Sequence, residues 1–216
     1  MVGGPDVGRG EVERQLDGAT ILLTGATGFL GKAVLATLLR TGGFGRLLLL
    51  LRAPDGTAAQ RRLGREVLDS DALAGLPGNP AGAAVAEGRI RAIGGDLDRS
   101  RLALSGEPAW REVDTVIHCA ASVSCEDPLD EILALNSLGP PRLLASLREA
   151  GADPHFVHVS TAYVADTRRD AVGEDGPVHP GLANLDPESI LAKAREWRAA
   201  VEENSILPSQ RKRFKR

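Results

Sequence analysis

Residues 21–34 read "ILLTGATGFLGKAV". An apolar run gives way to three glycines, Gly25, Gly28 and Gly31, and the apolar pattern then resumes at helical intervals. "TILLT" (20–24) predicts a strand, while Phe29, Leu30, Val34, Leu35, Leu38 and Leu39 predict a helix from Gly28 to about Arg40. Gly42 and Gly43 end that helix. Glycines at such a junction are ordinarily turn formers, and three of them alone decide little. A strand before and a helix after give the turn a context in which backbone can approach a ligand closely.

Outward from this junction the alternation repeats. "RLLLLLR" (46–52) predicts a second strand, apolar throughout as expected of one covered on both faces. Further strands are expected at "RIRAIGGDL" (89–97), "VDTVIHCAA" (113–121) and "HFVHVS" (155–160). Between the last two, residues 129–151 predict a helical segment that Pro140 and Pro141 kink or split. Strands alternating with helices imply parallel crossovers and an α/β fold, a doubly wound Rossmann-type parallel sheet. No sixth strand is evident, so the sheet is expected to be incomplete at the C-terminus. Residues 1–17 read as a flexible lead-in, 18–164 as the Rossmann-type domain and 165–216 as a polar and helical insertion, cut short. The 53–88 connection is long, with a charged helix-favouring part and a Gly/Pro/Ala-rich part.

The chain has 216 residues, 43% hydrophobic and 25% charged, with a net charge of −3. That balance gives no footprint for nucleic acid, and no uncharged run approaches the roughly 18 residues that span a bilayer. The N-terminus has no apolar stretch that could serve as a signal peptide. Two cysteines, Cys119 and Cys125, are too few for a disulfide framework, and a cytoplasmic location is expected. They lack a zinc-type partner set, so no metal site is expected.

At the strand ends, Gly25 permits a tight turn, Gly28 a close approach to a pyrophosphate, and Gly31 close packing of helix on strand. The start of the helix offers free N–H groups and a positive dipole end. Arg52, at the end of the second strand, suits a 2′-phosphate, which favours NADPH over NADH, although Asp55 is close by. A solvated strand-end arginine is the plainer alternative. Asp96 in "GGDL" can accept from an adenine amino group or simply start a turn. The small residues of "HCAAS" (118–122) allow backbone to pass near a cofactor, or merely pack. His118 and His158 read as core histidines in buried strands.

"TGATGFLG", "GDL", "HCAASVS", "LNSLGPPRLL" and "FVHVSTAYVA", in this order over about residues 19–166, resemble an extended short-chain dehydrogenase/reductase. More narrowly they are similar to the fatty acyl-CoA reductase (male-sterility) and thioester-reductase branch. The resemblance implies that Thr24, Gly25, Gly28 and Gly31 hold the pyrophosphate, with Thr27, Phe29 and Leu30 completing the cofactor-binding turn. It implies Arg52 at the 2′-phosphate, Asp96 and Leu97 beside the adenine, and Ala120 and Ala121 along the path to the nicotinamide ribose. Asn136 matches the asparagine that organises a proton-relay water, and Thr161 the catalytic hydroxyl that hydrogen-bonds the substrate carbonyl.

The implied reaction is NADPH-dependent reduction of a fatty acyl thioester, carried by CoA or a carrier protein, to aldehyde or alcohol. The family's Tyr-x-x-x-Lys pair is absent: the only tyrosine is Tyr163, and Thr167 stands four residues later. The chain is therefore expected to be the cofactor-binding part of a longer reductase and poorly active alone. A non-catalytic NADP(H)-binding sensor or scaffold is the alternative from a different class. Oligomeric state is not legible.

Overall fold

The computed structural model describes residues 9–98, 108–124, 126–161 and 186–205. Five strands form one parallel sheet: β1 (Thr20–Thr24), β2 (Arg46–Arg52), β3 (Ile90–Gly95), β4 (Thr115–His118) and β5 (His155–His158), in the order β3-β2-β1-β4-β5. All of β1 and the middle five residues of β2 are buried, which explains why the sequence there is continuously apolar.

Successive side chains leave opposite faces of the sheet, so the two cores separate by parity. Ile21, Leu23, Leu47, Leu49 and Leu51 pack on one side with Leu35 and Leu39 of α2 (Phe29–Thr41) and with Leu63 and Val67. Leu22, Leu48, Leu50 and Val116 pack on the other side with Trp110 and with Leu143 and Leu147 of the helix that precedes β5. This two-sided cover is the doubly wound arrangement, and it leaves one rim, the C-terminal ends of the strands, for a ligand.

The sequence placed β1 and β2 to the residue but made the outer strands too long. β3 ends at Gly95 and β4 at His118, because the chain leaves the sheet there to form the loops that line the rim. β5 is an edge strand of exposed and half-buried residues, so His158 is exposed rather than in a buried strand. The lead-in also departs from expectation: Arg9–Leu16 form helix α1, whose Leu16 packs against the first core.

The long 53–88 connection is helical. Asp55 caps α3 (Gly56–Arg62) by accepting from the Ala58 N–H at 2.7 Å. A π-helical turn, Leu63–Leu68, continues it, and α4 (Asp71–Ala74) and α5 (Pro80–Ala86) follow. Between β4 and β5, α6 (Leu129–Ile132) passes through another π-helical turn, Leu133–Ser137, into α7 (Gly139–Glu149). Pro140 and Pro141 sit in the first turn of α7, where the missing N–H groups break no bond. The segment is split as expected, with the break at Leu138, just before the prolines.

The last described helix, α8 (Pro187–Ser205), buries Leu191 and Ala194, and Leu191 packs against Ala134 and Leu138. Arg198 ties it to Asp130 and Glu131, and Arg142 to Glu188.

Candidate dinucleotide-binding site

β1 lies between β2 and β4, where the sheet's crossovers switch faces. The first turn leaves β1 at this switch point. Gly25 has φ +72°, a left-handed conformation, and a Cβ there would stand 2.7 Å from the Ala120 nitrogen and the Cys119 carbonyl carbon. The Gly28 N–H closes the turn on the Gly25 carbonyl at 2.9 Å. A Cβ on Gly31 would lie 2.1 Å from the Gly25 oxygen, so helix and turn touch backbone to backbone.

α2 starts after Gly28 with no capping side chain and no acidic residue in its first turn. Its N-terminal N–H groups and partial positive charge are thus left for an anion from outside. Beside it lies a cavity of about 270 Å³ whose walls come from four strand ends. Gly25, Thr27 and Gly28 line it from the first turn, and Leu50, Leu51 and Arg52 from β2. Gly95 lines it from the end of β3 with Asp96 and Leu97 beyond, and Cys119, Ala120 and Ala121 line it after β4. The register explains the convergence, since Arg52 stands opposite Gly95 and Thr24 opposite both Leu50 and His118.

Of the residues singled out from the sequence, Gly25, Thr27, Gly28, Arg52, Asp96, Leu97, Ala120 and Ala121 meet in this one cavity. Thr24, Phe29, Leu30, Gly31, Asn136 and Thr161 lie off its lining. Phe29 is 93% exposed and Leu30 is also exposed, both in the first turn of α2. Thr24 is fully buried with its hydroxyl turned to β4, 3.0 Å from His118 Nδ1, and it accepts from the Ala120 N–H at 3.1 Å. Asn136 stands in the π-helical turn and grips the backbone of Ser122 in the loop after β4. The Ser122 hydroxyl in turn donates to Asp127, whose carboxyl lies below its ordinary range because Ser122 and Ser124 hydrogen-bond it. Thr161 is exposed, shortly beyond the end of β5. Tyr163, Cys125 and the basic run at 211–216 lie outside the described residues.

Two contributors were not legible. Arg62, the last residue of α3, lines the cavity and hydrogen-bonds the Arg52 carbonyl. Glu66 holds its guanidinium by paired bonds of 2.9 and 2.6 Å, and Arg62 and Arg65 together lower the Glu66 carboxyl to about 2. The signal was present as a second arginine on the helix after β2, but only the capped start of α3 shows that this helix returns to the strand end. The other is His118, which is buried and only half satisfied.

Chemically, the cavity offers free helix N–H groups at one end. The arginines at its wall are Arg52, with Nε 3.7 Å from Asp96 Oδ1, and Arg62, whose guanidinium is shared with Glu66 and the Arg52 carbonyl. Such a set can hold two separated phosphates and one hydrogen-bond donor between narrow backbone walls.

The family model described as male sterility protein matches residues 23–205, most of the chain. The chain belongs to this family. It is an extended short-chain dehydrogenase/reductase of the fatty acyl-CoA reductase branch, an oxidoreductase family that uses a nicotinamide cofactor. It is 31% identical over 208 residues to the alcohol-forming fatty acyl-CoA reductase of Simmondsia chinensis, covering 88% of this chain and 42% of that protein. To fatty acyl-CoA reductase 1 of Mus musculus it is 33% identical, covering 89% of this chain and 36% of the other. Among solved structures it resembles the terminal R domain of the myxalamid PKS-NRPS biosynthetic pathway. That match has a TM-score of 0.62 at 28% identity and covers 82% of this chain and 44% of the other. The reductase (R) domain of a non-ribosomal peptide synthetase from Mycobacterium tuberculosis matches with a TM-score of 0.53 at 32% identity, over 73% and 37% of the two chains. The chain of this family member thus spans less than half the length of these relatives. No described helix is long and apolar enough to cross a membrane.

Proposed function

We propose that this chain supplies the NADPH-binding part of a reductase acting on fatty acyl thioesters. The observation that carries the cofactor choice is the meeting of Arg52 and Arg62 at one end of the cavity that begins at the uncapped α2 N-terminus. In this reading the free N–H groups in the first turn of α2, just after Gly28, hold the pyrophosphate. Arg52 and Arg62 bind the 2′-phosphate, and Asp96 accepts from the adenine amino group while Leu97 packs beside it. Ala120 and Ala121 leave room for the nicotinamide half. Thr24 and Gly31 act through the shape of the turn, and Phe29 and Leu30 face the entrance at its rim.

The bound reduced nicotinamide supplies a hydride to the thioester carbonyl. Thr161 donates a hydrogen bond to the oxygen on which negative charge develops. Asn136 fixes the loop through Ser122 and so holds the floor on which substrate and cofactor meet. Collapse of the reduced adduct releases a thiol and an aldehyde, and a second round gives the alcohol. Support for fatty acyl-CoA as substrate comes from the named activities of the sequence relatives. Support for a carrier-bound thioester comes from the R domains among the solved structures. The chain carries no Tyr-x-x-x-Lys pair, so turnover by this chain alone is expected to be slow, by roughly 10²–10⁴-fold.

The test is a stoichiometry. A protein carrying this chain is given NADPH with fatty acyl-CoA, or with an acyl carrier protein, and NADPH oxidation, free thiol and aldehyde are measured together. One oxidised cofactor per free thiol supports a reductase that stops at the aldehyde and two per thiol one that goes on to the alcohol, and the faster substrate identifies the carrier. Tight NADPH binding with no thiol release from either substrate would establish the sensor or scaffold instead.

A further inference from the structure

We infer that His118 is a positioning residue, resting on the cofactor reading above: as a neutral acceptor it orients the Thr24 hydroxyl that holds the Ala120 N–H at the cavity wall. His118 is 1% exposed and Thr24 fully buried, and their 3.0 Å contact joins the last residues of β1 and β4 across the switch point. The Thr24 oxygen accepts from the Ala120 N–H at 3.1 Å. The imidazole is the hydroxyl proton's one acceptor among the described residues, so in the proposed arrangement His118 Nδ1 accepts it and the ring hydrogen sits on Nε2.

Nε2 is buried and has no partner among the described residues. A buried polar atom left unpaired is costly, and the bond at the other nitrogen is what the ring gains against that cost. The surroundings keep the ring neutral. Burial is the larger cause and the facing His158 of β5 the smaller, while Phe156 stacks on the ring at 5.8 Å. From β1 the ring meets the uncharged Thr24; among the described residues His158 is the titratable group facing it. A charged imidazole would donate at both nitrogens and turn two donors on the Thr24 oxygen, leaving the hydroxyl proton without an acceptor.

The consequence reaches the cavity through backbone. Gly25 packs directly against Cys119 and Ala120, so the line Thr24–His118–Ala120 sets how far β1 and β4 stand apart where both line the cavity. A plain core histidine would be replaceable by any group of similar size. A positioning acceptor is replaceable only by one with an acceptor at the Nδ1 place, as in His118→Asn.

The 216-residue chain provides the test. Long-range ¹H–¹⁵N spectra of the wild type report the tautomer directly and require no variant to fold. Amide exchange at Ala120 and NADPH titration are then compared for wild type, His118→Asn and His118→Leu. The expected result is an unprotonated Nδ1, binding by His118→Asn within about twofold of wild type, and about tenfold weaker binding with faster Ala120 exchange in His118→Leu, the equivalent of one hydrogen bond. A proton on Nδ1, or a His118→Leu chain with wild-type exchange at Ala120, would overturn the assignment. Failure of the wild type to bind NADPH would instead overturn the cofactor reading, and the tautomer and exchange data would still decide the role of His118.

Discussion

Asn136 Oδ1 accepts from the Ser122 N–H at 2.9 Å while its Nδ2 donates to the Ser122 carbonyl at 2.8 Å. One side chain thereby fills both backbone hydrogen-bonding positions of a residue on another element. The π-helical turn Leu133–Ser137 is what carries Asn136, and such turns recur at functional sites. Asn136→Ala should cost about 1–3 kcal/mol in chemical denaturation and expose the Ser122 amide to exchange. Asn136→Asp should fare no better, because a carboxylate cannot donate to the Ser122 carbonyl. Unchanged protection at Ser122 in both variants would refute the clamp.

The three glycines of the first turn should separate by role. Gly31→Ala drives a methyl into the Gly25 carbonyl at 2.1 Å, against backbone that has little room to move. A loss of about 1–3 kcal/mol or more is expected in urea melts. At Gly28 a Cβ meets only the Gly25 oxygen at 3.3 Å, and φ is −81°. Gly28→Ala should therefore stay within about 1 kcal/mol of wild type in stability, yet weaken NADPH binding about tenfold or more by filling the space at the helix start. Equal effects of the two changes on stability would contradict this division.

Stability should fall in acid through His118. Its folded pKa is lowered from 6.5 to about 4, mainly by burial. Between those values the unfolded chain takes up a proton that the folded chain refuses, so stability is lost as pH falls through that window, by about 3 kcal/mol at most. The comparison is made with His118→Asn, which cannot titrate there. Glu66, held near 2 in the folded chain, contributes equally to both proteins and cancels. If the two proteins lose stability in parallel between pH 6.5 and 4, the buried neutral imidazole is not the cause.

Thr161→Ala in a protein that turns over acyl thioester should lower kcat roughly 10²–10³-fold, the scale of one lost donor to a developing oxyanion. Because Thr161 lies off the cavity lining, NADPH affinity should stay within about twofold. A normal kcat, or a parallel loss of NADPH binding, would remove Thr161 from its proposed role.

The central strands were legible to the residue because burial on both faces forces an unbroken apolar run, and the switch-point turn because its glycines stand between strand and helix. The outer strands were not, since "HCAA" continues the small, apolar character of β4 after the hydrogen-bonded ladder has ended at His118. Thr24 is instructive in the same way. A threonine at a strand end beside glycines reads as a ligand contact, but only the pairing of β1 with β4 reveals that its hydroxyl turns inward to His118. Arg62 was hidden because its place beside Arg52 depends on how α3 folds back from the Asp55 cap.

The most direct test of the account is titration of the chain with NADPH and NADH, in wild type and with Arg52→Ala and Arg62→Ala combined. The account predicts that wild type prefers NADPH by about tenfold or more, from charge-assisted bonds to the 2′-phosphate, and that the double variant loses this preference while still binding NADH. Equal affinity for the two cofactors in wild type, or a preference that survives loss of both arginines, would contradict it.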